Sequence, residues 1–182
     1  MPTPNALPES ERLFLRRFVA ADAPDLFRFE SDPELVRYIR PPVQRLEETV
    51  NKVQEAIRYY DRCPGLGMFP ACRKDDGRFV GCFVIRYFAE EGKGDVEVGY
   101  GLLKEAWGKG LATEMFRKLT EYGFSVLKQP KLVAVVDPLN APSRKVLERA
   151  GFESTKDILH QGRLLKYYER INDELRMTND ET

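Results

Sequence analysis

One segment of the sequence combines residue types that could bind an anion. It reads Trp107-Gly108-Lys109-Gly110-Leu111-Ala112 and joins a predicted strand to a predicted helix. Glycines permit tight turns and bring backbone N–H groups close to a ligand, and the first turn of a helix adds unpaired N–H donors. Lys104 and Lys109 add positive charge beside it. The segment predicts a phosphate or pyrophosphate site, although a plain tight turn before a surface helix explains the same glycines.

The strand that precedes this segment has one face with almost no side chains. Between Asp95 and Leu103, apolar residues alternate with Glu97, Gly99 and Gly101. Such alternation is typical of a strand whose two faces differ. A slender ligand could lie against the glycines. Glu97 projects from the same face, where it could act as a general base or simply face solvent.

A second segment with functional potential runs from Asn140 to Phe152. Asn140 could cap a helix, Pro142 suits its first turn, and Gly151 suits its C-terminal end. Ser143 lies three residues after Asn140, on the first turn. Taken alone, this pattern is explained by helix capping and requires no catalytic role.

The elements that must position these residues follow from hydrophobic periodicity and turn signals. Predicted strands cover Leu13–Phe18, Gly67–Lys74, Arg78–Phe88, Asp95–Leu103, Lys131–Val136, Glu153–Leu159 and Leu164–Arg170. Predicted helices run from Asp22 through Phe29, over Leu46–Asp61, from Ala112 to about Lys128, and over Asn140–Ala150. We expect one α+β domain over 11–171 with a mostly antiparallel sheet flanked by helices, a loose N-terminal segment 1–10 and a polar tail 172–182.

Composition narrows the possible functions. The chain has 182 residues, and its 29 basic residues balance 29 acidic ones, so a nucleic-acid partner is disfavoured. Three cysteines without CxxC spacing predict reduced core thiols and no metal site. The sequence shows no signal-peptide pattern and no long apolar run, so we expect a cytoplasmic protein that does not contact membranes.

Together, these segments resemble the Gcn5-related N-acetyltransferase (GNAT) family, in its RimJ/RimL-like branch. The resemblance extends from Leu13 to Tyr168. It is carried by Leu13-Phe14-Leu15-Arg16, by Glu97-Val98-Gly99-Tyr100, by Trp107 to Glu114, and by Asn140-x-x-Ser143 followed by Val146-Leu147-Glu148-x-x-Gly151-Phe152. Four motifs in this order are far more specific than one glycine loop.

The resemblance implies a GNAT fold with a central, mostly antiparallel mixed sheet. It also implies acetyl transfer from acetyl-coenzyme A, as co-substrate, to a primary amine in a ternary complex. The amine would belong to a protein N terminus or a small molecule, and the enzyme would be a monomer or homodimer. By resemblance the coenzyme-binding residues are Leu102, Leu103, Trp107, Gly108, Lys109, Gly110, Leu111, Ala112, Thr113 and Asn140.

The same resemblance implies catalytic roles for Glu97 as base and Ser143 as hydrogen-bond donor to the leaving sulfur. Trp107 stands where the family usually has Gln or Arg, and Leu147 stands where many relatives have Tyr. His160 could touch substrate, although an exposed turn residue is the favoured interpretation.

The sequence leaves two questions open. Arg144 and Lys145 could meet the 3′-phosphate of the coenzyme or only face solvent. A non-catalytic acyl-coenzyme A-binding regulatory module and an unrelated α+β binding domain are the alternative functions.

Overall fold

The computed structural model of the chain describes residues 6–89 and 91–173. Seven strands and five α-helices lie within these residues. The strands are β1 (Leu13–Leu15), β2 (Gly67–Arg73), β3 (Phe79–Tyr87), β4 (Val96–Leu102), β5 (Lys131–Val136), β6 (Glu153–His160) and β7 (Arg163–Ile171). The helices are α1 (Ala23–Glu30), α2 (Pro33–Val36), α3 (Leu46–Arg62), α4 (Leu111–Ser125) and α5 (Ala141–Arg149). Single 3₁₀ turns cover Ala20–Asp22 and Lys104–Ala106.

The strands form one sheet in the order β1-β2-β3-β4-β5-β7-β6. Every neighbouring pair is antiparallel except β4 and β5, which are parallel. The parallel pair follows from chain order, because α4 connects β4 to β5 as a crossover helix. The expected α+β domain with a mostly antiparallel mixed sheet is confirmed.

Local patterns predicted most elements, and the differences have local causes. The short helix α2 was not predicted. It is capped by Asp32, whose carboxylate accepts from the Glu34 N–H at 2.9 Å. Strand β1 ends at Leu15 instead of Phe18. Asp22 stands at the N-cap position of α1, but its carboxylate is bound by the two terminal guanidinium nitrogens of Arg16, each at 2.7 Å, and does not cap the helix.

The expected terminal segments lie partly outside the described residues. Of the segment 1–10, residues 6–10 are described, and Ser10 is buried with its N–H on the Leu13 carbonyl at 2.8 Å. Glu9 forms an isolated bridge with Phe14. Of the tail 172–182, only residues 172 and 173 are described.

The two faces of β4 pack against different helices. Tyr100 points to the α4 face, where its ring meets Phe116 edge-on at 5.9 Å. Glu97, Gly99 and Gly101 alternate with it and point to the opposite face, which we call the α1 face. There the Phe29 ring of α1 lies so close to Gly101 that an added Cβ would meet it at 2.3 Å.

The predicted bare face is therefore open at one glycine only. A Cβ at Gly99 would meet nothing within 4 Å, whereas Phe29 covers Gly101. Phe29 is itself 8% exposed, in a cluster with Leu26 and Val53. The space for a ligand on this face lies over Gly99.

The three cysteines, Cys63, Cys72 and Cys82, are free and buried. Burial raises the pKa of the Cys72 and Cys82 thiols. Over the residues that the structure describes, His, Cys, Asp and Glu form no group that could hold a metal ion. Among the same residues, every helix is too short or too polar to cross a membrane.

Alanine substitution should distinguish the two glycines. Gly101→Ala forces the Phe29 ring to move and should lower the free energy of unfolding by about 1–3 kcal/mol, as overpacking of a core does. Gly99→Ala should change it by less than about 0.5 kcal/mol, because the added methyl meets open space. Urea unfolding of both variants measures the difference. Equal losses would contradict the contact with Phe29.

Candidate active site

The candidate site centres on a gap between β4 and β5. The two strands pair only through Val96 with Leu132 and Glu97 with Val133. Beyond that point β4 continues to pair with β3 as far as Leu102 and β5 with β7 as far as Val136, so both strands stay in the sheet but diverge from each other. The result is a wedge, the β4–β5 gap, that opens toward the C-terminal ends of both strands.

Backbone groups of β4 line this gap. The Leu103 N–H donates to Val80 at 2.8 Å and the Phe88 N–H donates to Asp95 at 2.9 Å, so odd-numbered residues of β4 bond to β3. By strand alternation, Tyr100 and Leu102 turn their N–H and C=O groups toward the gap. Among the described residues, no strand pairs with them on that side.

Leu103 differs from Leu102 in this respect. Its N–H is bound to Val80, its carbonyl accepts from the Ala106 N–H at 2.9 Å, and its side chain is buried. The backbone of Leu103 is therefore not free to hold a ligand in the gap, whereas that of Leu102 faces it.

The glycine segment lies at the wide end of the gap and begins helix α4. Gly108 and Gly110 have φ values of 69° and 75°, in the left-handed region that glycine enters without strain. No side chain caps α4, and its first helical bond runs from the Glu114 N–H to the Gly110 carbonyl at 3.0 Å. The N–H groups of residues 111–113 therefore have no helical partner and can bind an anion.

The two lysines expected to add charge here are already paired. Lys104 forms an ion pair with Glu34 of α2, whose hydrogen bond raises the pKa of the lysine. Lys109 donates to the Glu105 carbonyl at 2.6 Å. The positive character of the segment therefore rests mainly on its backbone.

Trp107 turns its indole toward β4. Its Nε1–H donates to the Leu102 carbonyl at 2.9 Å, and 46% of the residue remains exposed. One acceptor of the β4–β5 gap is thus already bonded. The exposed ring lies beside the glycine segment, and it is the only tryptophan of the chain.

Glu97 lies where the strands part, on the α1 face. Its Oε1 accepts from Arg86 Nε at 2.7 Å across the β3–β4 pair, and 15% of its side chain is exposed. The carboxylate borders the open space over Gly99. Its ion pair with Arg86 was not predicted from sequence.

Ser143 lies on the other side of the sheet, in the first turn of α5. Asn140 caps this helix by accepting from the Ser143 N–H at 3.3 Å. Burial raises the pKa of the Tyr100 phenol, and the neighbouring Ser143 hydroxyl opposes the rise. Tyr100 belonged to a predicted motif but carried no predicted role, because alternation alone does not show what a side chain meets across the sheet.

Other residues considered from sequence have defined places. His160 ends β6 and stacks on Phe88 with ring centroids 5.0 Å apart, so the interpretation as an exposed turn residue is wrong. Arg144 donates to the Tyr168 hydroxyl and the Pro138 carbonyl, both at 3.3 Å. Lys145 is exposed on α5.

A cavity of about 760 Å³ lies beside the glycine segment, between β1, the β2–β3 turn and α1. Its wall carries many charges, and its arginines are paired with acids. Arg12 binds Glu114 with its backbone N–H at 2.9 Å and its Nε at 2.8 Å, and Arg28 binds Glu105 at 3.0 Å. Hydrogen bonds from Ser10 and Arg12 hold the pKa of Glu114 below its usual value, although burial opposes this.

Comparison with known proteins adds independent information. Residues 12–153 match the acetyltransferase (GNAT) domain model. The uncharacterized N-acetyltransferase p20 of Bacillus licheniformis is 32% identical over 145 residues, which cover 79% of this chain and 80% of that protein. The uncharacterized N-acetyltransferase YoaA of Bacillus subtilis is 29% identical over 146 residues, covering 80% and 81%.

Solved structures share the fold. A GNAT-family acetyltransferase from Bacillus anthracis superimposes with a TM-score of 0.79 at 25% identity, covering 92% of this chain and 99% of that one. The ribosomal-protein acetyltransferase RimL, solved in complex with coenzyme A, gives a TM-score of 0.77 at 20% identity, covering 92% and 98%.

A carboxylate placed in the glycine segment should abolish binding of a pyrophosphate-containing ligand. Gly110→Asp puts a negative side chain beside the unpaired N–H groups of α4, and we expect the affinity for coenzyme A to fall at least about 100-fold. Quenching of Trp107 fluorescence measures it.

Gly94→Asp is the matched control, because Gly94 has a similar φ of 77° and open space around it, away from the gap. Unchanged affinity in Gly110→Asp, or an equal loss in both variants, would contradict the anion site.

Proposed function

The chain belongs to the GNAT acetyltransferase family, and we propose that it moves an acetyl group from acetyl-coenzyme A to a primary amine of a peptide N terminus or a small monoamine. Acetyl-coenzyme A is the co-substrate of this family.

The observation that carries the proposal is the continuity of the β4–β5 gap with the glycine segment. Unpaired backbone N–H groups suit a pyrophosphate at one end, and an unpaired strand edge suits an amide-containing arm along the other. Coenzyme A has both features in that order. An anion site without a strand gap would suit many phosphate ligands, so the combination is what favours this coenzyme.

In this arrangement the pyrophosphate lies on the backbone of residues 108–113. The pantetheine arm then pairs with Tyr100 and Leu102 as an added strand would. Because Trp107 already occupies the Leu102 carbonyl, the arm binds chiefly through the N–H of Leu102 and the backbone of Tyr100. Asn140 supports the arm only indirectly, since its side chain is used as the cap of α5.

The two catalytic candidates face the thioester from opposite sides of the sheet. Glu97 is on the α1 face with the open space over Gly99, and Ser143 is on the α4 face with Tyr100. The acceptor amine enters over Gly99, gives up a proton to Glu97 directly or through water, and attacks the carbonyl carbon of the thioester. A tetrahedral intermediate forms, and the carbon–sulfur bond then breaks.

The leaving thiolate is stabilised on the other face. Ser143 donates a hydrogen bond to the sulfur from its place beside the Tyr100 phenol. Leu147 is buried and offers no hydroxyl to replace the tyrosine of many relatives. As the carbon–sulfur bond breaks, the nitrogen loses its remaining extra proton to the departing thiolate, and Glu97 passes the first proton to solvent. The products are an acetylated amine and free coenzyme A.

Charge around the gap favours an acceptor with a single amine. Three nearby carboxylates are all ion-paired, as Glu97–Arg86 at 2.7 Å, Asp95–Lys131 at 3.1 Å and Asp137–Arg163 at 2.7 Å. A polyamine needs uncompensated carboxylates for its remaining charges, and these pairs leave little negative charge to attract one. The fold shared with ribosomal-protein acetyltransferases supports a peptide N terminus as the first acceptor to test.

The test is thiol release from acetyl-coenzyme A in the presence of tetra-alanine amide, phenylethylamine or spermidine. We expect turnover with the peptide or the monoamine and little with spermidine. Binding of acetyl-coenzyme A without turnover on any amine would favour a non-catalytic acyl-coenzyme A-binding module. Failure to bind would remove the proposal.

Removing the proposed base should affect turnover and leave coenzyme binding intact. Glu97→Gln should lower kcat about 100-fold or more, the usual contribution of a general base. Glu121→Gln, an exposed carboxylate on α4, controls for the lost charge. A normal kcat in Glu97→Gln would exclude Glu97 as the base.

The serine hydroxyl should matter for kcat rather than for affinity. Ser143→Ala should lower kcat about tenfold with acetyl-coenzyme A affinity unchanged, since a hydrogen bond to a charged group contributes about 1.5–3 kcal/mol. Ser143→Thr keeps the hydroxyl and should retain most of the rate. We expect Tyr100→Phe to have a smaller effect. If the alanine and threonine variants lose the same activity, the Ser143 hydroxyl has no catalytic role and the residue serves only in the first turn of α5.

A further inference from the structure

One segment of the N-terminal half is held on two sides by hydrogen bonds and an ion pair. Residues 37–45, here called the strap, connect α2 to α3. Glu30, only 1% exposed, holds the strap from inside through an ion pair with Arg40 and through its carbonyl, which accepts from the Val43 N–H at 2.9 Å. Lys52 of α3 pairs with the same carboxylate. The inner side of the strap is therefore fixed to α1 and α3.

The outer side of the strap is held by one arginine of the C-terminal half. Arg163, the first residue of β7, donates to the Ile39 carbonyl at 2.6 Å and to the Tyr38 carbonyl at 2.7 Å. It also binds the Asp137 carboxylate at 2.7 Å. Asp137 in turn accepts from the Leu139 N–H at 2.9 Å, which fixes it after β5.

These bonds cross the β4–β5 gap at its open end. The strap is held to α1, which packs on β4, whereas Asp137 directly follows β5 and Arg163 begins β7 on the other side of the gap. The bond from the Tyr167 hydroxyl to Asp95, at 2.7 Å, links β7 to the start of β4 at the opposite, closed end, where β4 and β5 are still paired.

Arg163 lies on the face from which the amine must enter. Arg163 and Tyr167 are four residues apart on β7, so their side chains point to the same face, and the Tyr167 hydroxyl reaches Asp95. Asp95, just before β4, is two residues from Glu97, so the side chains of both point to the α1 face. The strap is therefore fastened over the side of the gap opposite to Ser143.

We propose that Arg163, oriented by Asp137, is a positioning residue that fastens the strap across the open end of the gap and so forms the acceptor pocket. This inference rests on the proposed function. A guanidinium suits the task because its planar fork bonds two carbonyls and a carboxylate at once, which an ammonium on a flexible stem does not reproduce. At 33% and 20% side-chain exposure, the Arg163–Asp137 pair is partly shielded from water.

The first test measures the strap itself and needs no acceptor. In Arg163→Gln, amide hydrogen exchange of residues 38–45 should speed up about tenfold or more, the loss expected for hydrogen bonds to a charged group. Exchange in α4 should stay unchanged. Lys166→Gln is the matched control, because it removes a cation from the same strand that pairs at 2.9 Å with Asp157 and not with the strap.

The second test uses tetra-alanine amide as acceptor. Arg163→Gln should raise its KM about tenfold or more, while acetyl-coenzyme A affinity from Trp107 fluorescence stays within about twofold. Arg163→Lys should recover part of the loss. Asp137→Asn should raise KM too, and the double variant should lose less than the sum of the two, because both act through one contact.

The outcomes separate this inference from the proposed function. If the wild-type protein fails to acetylate any amine, the proposed function fails, and hydrogen exchange still decides whether Arg163 holds the strap. If the wild type is active but Arg163→Gln shows normal exchange in 38–45 and a normal acceptor KM, the positioning role is wrong. Faster exchange together with a raised KM supports it.

Discussion

The site depends on the parting of two parallel strands. Once β4 and β5 separate after Glu97 and Val133, the backbone groups of Tyr100 and Leu102 lose their neighbour. Unpaired backbone groups away from water cost about 1–3 kcal/mol each, so such an edge persists only where water or a ligand reaches it. A ligand with alternating amide donors and acceptors would satisfy the unpaired backbone groups of the gap. The glycine segment that follows β4 adds an anion site in line with that edge.

The sheet then separates the two halves of the proposed reaction. The α4 face carries Tyr100 and the helix that begins near Ser143, and the α1 face carries Glu97 and the free space over Gly99. A proton can thus be removed on one side while a thiolate is stabilised on the other. The ion pair with Arg86 fixes the position of the Glu97 carboxylate. It also compensates the negative charge of that carboxylate at the entrance for the acceptor amine.

Much of this architecture could be predicted, because its signals are local. Periodicity and turn residues gave α3, the β2–β3 turn and the start of α4 nearly as observed, and Gly108 and Gly110 adopt the backbone that only glycine enters easily. Contacts between distant residues left no local signal. Such contacts depend on how the elements pack in three dimensions. Examples are the Phe29 ring over Gly101, the Trp107 indole on the Leu102 carbonyl, and Arg163 on a strap about 125 residues earlier in the chain.

The central claim is that acetyl-coenzyme A completes the edge of β4, and amide hydrogen exchange of the wild-type protein tests it most directly. On addition of acetyl-coenzyme A, exchange at Tyr100 and Leu102 should slow together with exchange at residues 108–113. The odd-numbered amides of β4, which already bond β3, should change little. Slowing confined to other parts of the chain, with Tyr100 and Leu102 unaffected, would contradict the account.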